Sequence, residues 1–243
     1  MDQQLYQKMR QVEDTHWWFV ARRNIIAHVI SSLDLHSNPE ILDAGCGTGG
    51  NLDMLSRFGK VTGIEMDDQA RSLANERGKG TVLPGHLPNG IPHTHGQFDL
   101  IVLLDVLEHI DSDAEALRSL ADCLAPRGYL VVTVPAFPFL WSQHDSEHHH
   151  KRRYRKPELI EKINTAGLQI EKITYYNTIL FPVVAAVRLL GSLVSNHKVG
   201  NDMTVPHPLV NKGLSLLFLS EKYLVNRTGF PFGVSLLAVA RKV

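Results

Sequence analysis

The chain has 243 residues, 44% hydrophobic and 21% charged, the balance of a folded globular protein with one α/β domain and roughly half a domain more. Lys plus Arg and Asp plus Glu both number 25, so the formal net charge is zero, which argues against nucleic acid as a partner. Two cysteines, Cys46 and Cys123, are too few for a disulfide framework and suit a cytoplasmic setting, and the polar first ten residues lack the apolar core of a signal peptide.

In chain order, residues 16–33 offer Trp17, Val20, Ile25 and Val29 to one apolar side, which predicts an amphipathic helix. Residues 40–43 form a short apolar run that stops at glycines, as a buried parallel strand does, and 49–58 are expected to be helical. A second strand is predicted over 60–65. A helix follows over 67–77, ended by Gly78 and Gly80, and then a weak third strand over 81–83. Residues 84–96 are rich in Pro, Gly and His and read as a loop. The strongest strand is 98–104, apolar at nearly every position. The helix after it, 113–124, stops at Ala125-Pro126-Arg127-Gly128, and a buried strand follows over 129–134. Pro157 opens a helix to Ala166 with Gly167 just past its end. Strands over 169–175 and 234–240 complete a doubly wound, mostly parallel α/β sheet, expected to be seven-stranded.

Residues 177–227 interrupt the alternation. They are apolar and expected to be helical, in two pieces around Val205-Pro206-His207-Pro208, and read as an insertion before the last strand. The division that follows is an N-terminal helical cap (1–36), a cofactor-binding domain (37–176 with 228–243) and a helical lid (177–227). The longest apolar stretch, 178–195, holds Pro182 and Arg188 and falls short of the about 20 apolar residues that a membrane span needs.

The most informative segment runs Ile41-Leu42-Asp43-Ala44-Gly45-Cys46-Gly47-Thr48-Gly49-Gly50. Glycines between a strand and a helix let the backbone turn tightly and approach a ligand, at the strand ends where open α/β sheets bind them. Gly45, Gly47 and Gly50 also satisfy G-x-G-x-x-G, and Glu65 stands about twenty residues on, where a carboxylate accepts ribose hydroxyls. That much leaves an NAD-dependent oxidoreductase open. Asp43 separates the readings: a carboxylate before the glycines repels a diphosphate but suits an α-ammonium.

The stretch Asp43 to Gly49 resembles the first motif of the class I S-adenosylmethionine-dependent methyltransferases. Asp105-Val106-Leu107-Glu108-His109-Ile110 resembles that family's fourth-strand motif, and Ala125 to Leu130 the approach to its fifth strand. The resemblance implies a Rossmann-like methyltransferase fold, S-adenosyl-L-methionine as cofactor and S-adenosyl-L-homocysteine as product. Gly45, Cys46 and Gly47 would line the amino-acid part, Glu65 would bind ribose, Met66 would pack on adenine, and Leu104 and Asp105 would face the methionine end. The adenine loop departs from the family pattern: Gly85-His86-Leu87-Pro88 stands where many relatives place an Asp. Trp18 and Arg22, in a helix that caps the pocket in such relatives, become candidate acceptor contacts.

An alcohol acceptor needs a general base, and histidine titrates near neutral pH. The segment after the fifth strand, read as a polar loop near the acceptor, runs Trp141-Ser142-Gln143-His144-Asp145-Ser146-Glu147-His148-His149-His150-Lys151-Arg152-Arg153-Tyr154-Arg155. His144 with Asp145, or His148, are the candidate bases. His109 is read as a packing or acceptor contact rather than a catalyst. Arg152, Arg153 and Tyr154 are candidate clamps on an anionic acceptor. No spacing here is diagnostic of a metal, and none is expected. The acceptor is read as a small or lipid-linked molecule methylated at oxygen or nitrogen. The insertion is read as a lid and homodimer surface or, alternatively, as a peripheral membrane contact. A cofactor-binding protein without catalysis is the third reading.

Overall fold

A computed structural model describes residues 3–92, 95–193, 204–227 and 229–243. Two helices come first, α1 (Gln3–Val12) and α2 (Trp17–Ile30), then β1 (Glu40–Ala44), a single turn α3 (Leu52–Leu55), β2 (Lys60–Glu65), α4 (Asp68–Asn75) and β3 (Thr81–Pro84). β4 (Phe98–Leu104), α5 (Asp113–Cys123) and β5 (Leu124–Pro135) follow, then α6 (Gln143–Glu147), α7 (Lys156–Thr165) and β6 (Leu168–Tyr176). The chain ends with α8 (Phe181–Leu193), α9 (Pro208–Leu219), α10 (Lys222–Val225) and β7 (Ser235–Lys242). Of the apolar stretch 178–195 and the insertion, residues 194–203 lie outside the described part.

Local chemistry sets the boundaries. The His16 ring accepts from the Trp18 N–H at 3.3 Å and caps α2, and the Asp67 carboxylate accepts from Gln69 and Ala70 N–H at 3.0 and 2.9 Å to cap α4. Seven strands form one sheet in the order β3-β2-β1-β4-β5-β7-β6, all parallel except β7, which runs antiparallel between β5 and β6. Alternate residues of the central strands point to opposite layers. Leu42, Ile101 and Leu103 face Leu117, Leu120 and Leu159 of α5 and α7. Ile41, Leu100 and Val102 face Ile25, Ile26 and Val29 of α2. All of these side chains are fully buried, so truncating any one to Ala would cost about 2–5 kcal/mol.

Three expectations are corrected. The helix expected over 49–58 shrinks to α3, because Gly49 takes φ +79 in the glycine turn, and the close approach of Glu13 leaves no room for a Cβ on Gly50. The Ala125–Gly128 break lies inside β5: Leu124 already pairs with Phe98, the chain bulges with Arg127 at φ +66, and register resumes at Tyr129. The polar histidine segment contains α6, held by a capping box between Ser142 and Asp145. Among the described residues no helix is long and apolar enough to cross a membrane.

Candidate active site

The strand order reverses between β1 and β4, so their carboxyl ends open a crevice. A cavity of about 1250 Å³ fills it. Its floor is Gly45–Thr48, Glu65 and Leu104–Val106, and α1 and α2 wall one side with Tyr6, Glu13, Trp18 and Arg22. The histidine segment walls the other side, and Val183, Val187 and Pro206 from the insertion flank the mouth.

The glycine turn is pinned to β2: the Gly45 and Cys46 N–H groups donate to the Ile64 carbonyl at 2.9 and 3.0 Å. Gly45 has φ +76, and a Cβ there would lie 2.8 Å from both γ-carbons of Val106, so only glycine fits. Gly47, at φ +55, would point a Cβ into open space. Its N–H donates to Glu65 Oε2 at 3.0 Å, while Asp67 N–H donates to Oε1 at 2.9 Å, so the Glu65 carboxylate is oriented at the cavity edge. Burial raises its pKa. Cys46 packs where Gly63 has no Cβ, and burial holds its thiol far above the usual range, so it is chemically inert. Met66 is 74% exposed at the cavity rim, which rules out a core role.

Asp43 lies just beneath this turn. It is 1% exposed, its Oδ2 has no partner, and burial pushes its carboxyl up to about 7, against the pull of Arg22 and with the push of Glu65. Arg22 is itself buried, pairs with Asp105 Oδ2 at 2.5 Å and lies 5.1 Å from the Trp18 ring centre. Asp105 turns the chain out of β4 at φ +56, which a short polar side chain tolerates better than most.

The histidine segment behaves differently from its sequence reading. His144 and His148 both reach the cavity, with ring centres 4.2 Å apart. Asp145 does not pair with His144 and does not line the cavity. It is fully buried and accepts from Arg153 Nε and Nη2 at 2.7 and 3.0 Å, Ser142 N–H at 2.8 Å and His150 Nδ1 at 2.9 Å. Burial alone would raise its pKa, but His150 and Arg153 hold it far below the carboxylate range, so it cannot serve as a base near neutrality. The expected anion clamp is likewise corrected. Arg153 spends its fork on Asp145 and the Ala136 carbonyl. Arg152 and Tyr154 turn away from the cavity to Asp113, at 2.9 and 2.8 Å, where Lys162 also donates at 2.9 Å.

Several cavity residues escaped the sequence reading. Because the Asp145 carboxylate can only accept, His150 Nδ1 must donate, which fixes the ring and sets Nε2 on the side away from Asp145. That nitrogen stands 4.0 Å from Glu108 Oε1. Glu108 is 1% exposed with Oε2 unpartnered, and burial and Asp105 raise its pKa well above the usual value. Burial and His150 lower His109 to about 4, so it is neutral at physiological pH. One ligand atom each from Glu108, His109 and His150 lies within 4.8 Å of the others, a set whose chemistry admits a divalent cation. Glu13, 3% exposed, accepts from Thr48 Oγ1 at 2.8 Å and pairs with Arg77, latching the end of α1 to the glycine turn. His150 alone had a readable clue, its five-residue spacing from Asp145. Glu13 and Tyr6 had none, because only the fold brings α1 to the cavity.

Comparison with known proteins agrees with this geometry. Residues 17–173 match the methyltransferase domain family. The chain is 29% identical over 190 residues to a ubiquinone biosynthesis O-methyltransferase of Marinobacter nauticus, covering 66% of this chain and 79% of that one. Among solved structures it resembles an S-adenosylmethionine-dependent methyltransferase of Thermotoga maritima described as a possible histamine N-methyltransferase (TM-score 0.61, 17% identity, 98% and 99% of the two chains). It also resembles a geranyl diphosphate C-methyltransferase of Streptomyces coelicolor solved with Mg2+, geranyl diphosphate and S-adenosyl-L-homocysteine (TM-score 0.60, 16% identity, 90% and 75%). With the motif order, the strand order and the family match over most of its length, this chain belongs to the class I S-adenosylmethionine-dependent methyltransferases.

Proposed function

We propose that the protein binds S-adenosylmethionine across the glycine turn and methylates a hydroxyl oxygen of a small or lipid-linked acceptor in the same cavity. The cofactor reading fits the donor set. The orphaned Asp43 Oδ2 beneath the turn matches an ammonium, directly or through water, and the glycine cradle leaves space above Gly47. Glu65 would hold the ribose, and exposed Met66 would cover adenine. When bound, the cofactor supplies an activated sulfonium methyl for in-line displacement.

The protein's part is to position the acceptor, exclude water and take its proton. His150 carries this reading: Asp145 holds its Nδ1, the residue lines the cavity and Nε2 stands beside Glu108, so the neutral imidazole would accept a proton at Nε2. The acceptor O–H proton passes to that nitrogen as the oxygen forms its new bond to carbon. His144 and His148 remain candidates for contact with the acceptor from the same wall. A base is needed for an alcohol and unnecessary for a neutral amine, which favours oxygen. The Marinobacter relative, an O-methyltransferase by name, supports the same choice.

The test is a panel of phenolic and alcohol acceptors, short-tailed and prenyl-tailed, assayed for S-adenosylhomocysteine release with wild type and His150→Gln. Turnover that depends on His150, with unchanged cofactor affinity, supports the reading. Turnover lost to EDTA and restored by Mg2+ or Zn2+ would make His150 a metal ligand instead. Micromolar binding of NADH with none of S-adenosylhomocysteine would reject the cofactor assignment.

A further inference from the structure

Ten of the fifteen large apolar side chains exposed among the described residues belong to residues 177–227, about a fifth of the chain. That concentration marks an interaction surface rather than scattered surface leucines. On α9, Leu209, Val210, Leu216 and Leu217 are 76%, 52%, 58% and 41% exposed, and their spacing puts them on one stripe. The opposite side of α9 is anchored: Asn211 Oδ1 accepts the Trp17 N–H at 2.8 Å, and Phe218 is fully buried against Trp17 and Tyr176. The stripe is therefore presented on a fixed helix.

Charge decides what covers it. The whole chain is neutral, yet residues 177–227 carry five Lys and Arg against two acids; Arg188 donates inward to the Leu140 carbonyl at 2.9 Å and Lys198 lies outside the described residues, which leaves Lys212, Lys222 and Arg227 to the face. One of those acids, Glu221, is fully buried and accepts from the Thr178 and Ile179 N–H groups; the other, Asp202, lies outside the described residues. Lys212 is exposed beside the α9 stripe, Arg227 is exposed past α10, and Lys222 lies over the Tyr223 ring at 4.8 Å. Apolar side chains accompanied by Lys212, Lys222, Arg227 and Tyr223 suit the headgroup region of an anionic bilayer, where lysine stems bury and their ammonium groups reach phosphates. α8 of the same insertion brings apolar side chains to the cavity. Val183 and Val187 of α8 are 63% and 49% exposed and line the cavity, so an apolar path leads from outside to the acceptor space.

We propose that the α8–α10 face docks on an anionic phospholipid bilayer and that the acceptor is a lipid-tailed molecule entering the cavity past Val183 and Val187. This rests on the cavity being the acceptor site of a methyltransferase. The docking itself is measured without turnover.

The experiment is co-sedimentation of the full chain with phosphatidylcholine vesicles, with and without phosphatidylglycerol, at low and high salt. S-adenosylhomocysteine calorimetry on every variant reports whether the fold and cofactor site are intact. The expected result is binding to anionic vesicles that weakens with salt. Leu209→Glu with Leu216→Glu should lower it by about tenfold or more, and Lys212→Ala by roughly fivefold, with cofactor affinity unchanged. Wild type that ignores both vesicle types overturns the proposal. So does a wild-type dimer that the double variant turns into monomer without any vesicle binding, since a second copy would then cover the face. Loss of cofactor binding in wild type would sink the methyltransferase reading and leave the vesicle result standing.

Discussion

Asp43 makes the cofactor site pH-dependent in a calculable way. Its carboxyl sits at about 7 because burial disfavours the anion, Arg22 lowering it and Glu65 raising it. Below that pH the free protein holds Asp43 protonated, and a protonated acid cannot pair with an ammonium. The ligand's ammonium and carboxylate keep their charges from pH 5.5 to 8, so affinity follows the ionised fraction of Asp43. That fraction makes S-adenosylhomocysteine bind roughly 30-fold more weakly at pH 5.5 than at pH 8. Stability runs the other way. A carboxyl whose folded pKa exceeds its unfolded value stabilises the fold fully below the unfolded pKa. It loses that contribution as pH rises towards 7, up to about 4 kcal/mol in the ligand-free protein. Calorimetric titration at constant ionic strength across the range checks the affinity, with Asp43→Asn as control. The variant should bind weakly at every pH with no slope. A wild-type affinity that varies less than about threefold, or a slope that survives in Asp43→Asn, would refute the reasoning.

Glu65→Ala should weaken S-adenosylhomocysteine binding by about 100-fold, because two ribose hydrogen bonds to a charged oxygen disappear; a change under about fivefold places the ribose elsewhere. Asp145→Asn should lower stability by about 3–5 kcal/mol, seen as a melting shift of roughly 6–20 °C, because Arg153 keeps its charge in a buried site without the matching carboxylate. Asp145's own pKa is depressed, so its stabilisation is present above the usual carboxylate range and is lost as pH falls; acid unfolding of wild type should begin there and that of Asp145→Asn should be shallower. His150→Gln should cut turnover by about 10²–10⁴ with cofactor affinity within twofold, while His144→Ala should cost less; equal losses for both would remove the special role of His150.

The cofactor half was legible because its constraints are local. A strand that must be buried on both faces reads as an unbroken apolar run, and 60–65 and 98–104 were located to the residue. Asp43, Gly45 and Glu65 lie close to a single turn, so their spacing carries their geometry. The acceptor half is assembled from distant segments. Asp145 and Arg153 form a buried pair that a composition-based reading takes for a solvated loop and a clamp, because nothing nearby in sequence shows that they face inward. The partner of Arg152, Asp113, is 39 residues away, and Thr48 meets Glu13 across 35. Such pairings depend on where the sheet brings the chain, which periodicity does not encode.

Charge balance at the strand ends then says why this glycine turn serves a cationic ligand. Asp43, Glu65, Asp105 and Glu108 converge there, with Arg22 as their buried cation, and Arg22 is committed to Asp105 at 2.5 Å. The other three all have pKa values raised chiefly by burial, so each is costly to keep ionised in the ligand-free protein. A dinucleotide would bring a diphosphate to this cluster and deepen the cost. A ligand with an ammonium and a sulfonium removes it, converting unfavourable buried carboxylates into paired ones. The discrimination between the two cofactor classes that share this glycine spacing therefore lies in the unpaired acids beneath the turn rather than in the glycines themselves.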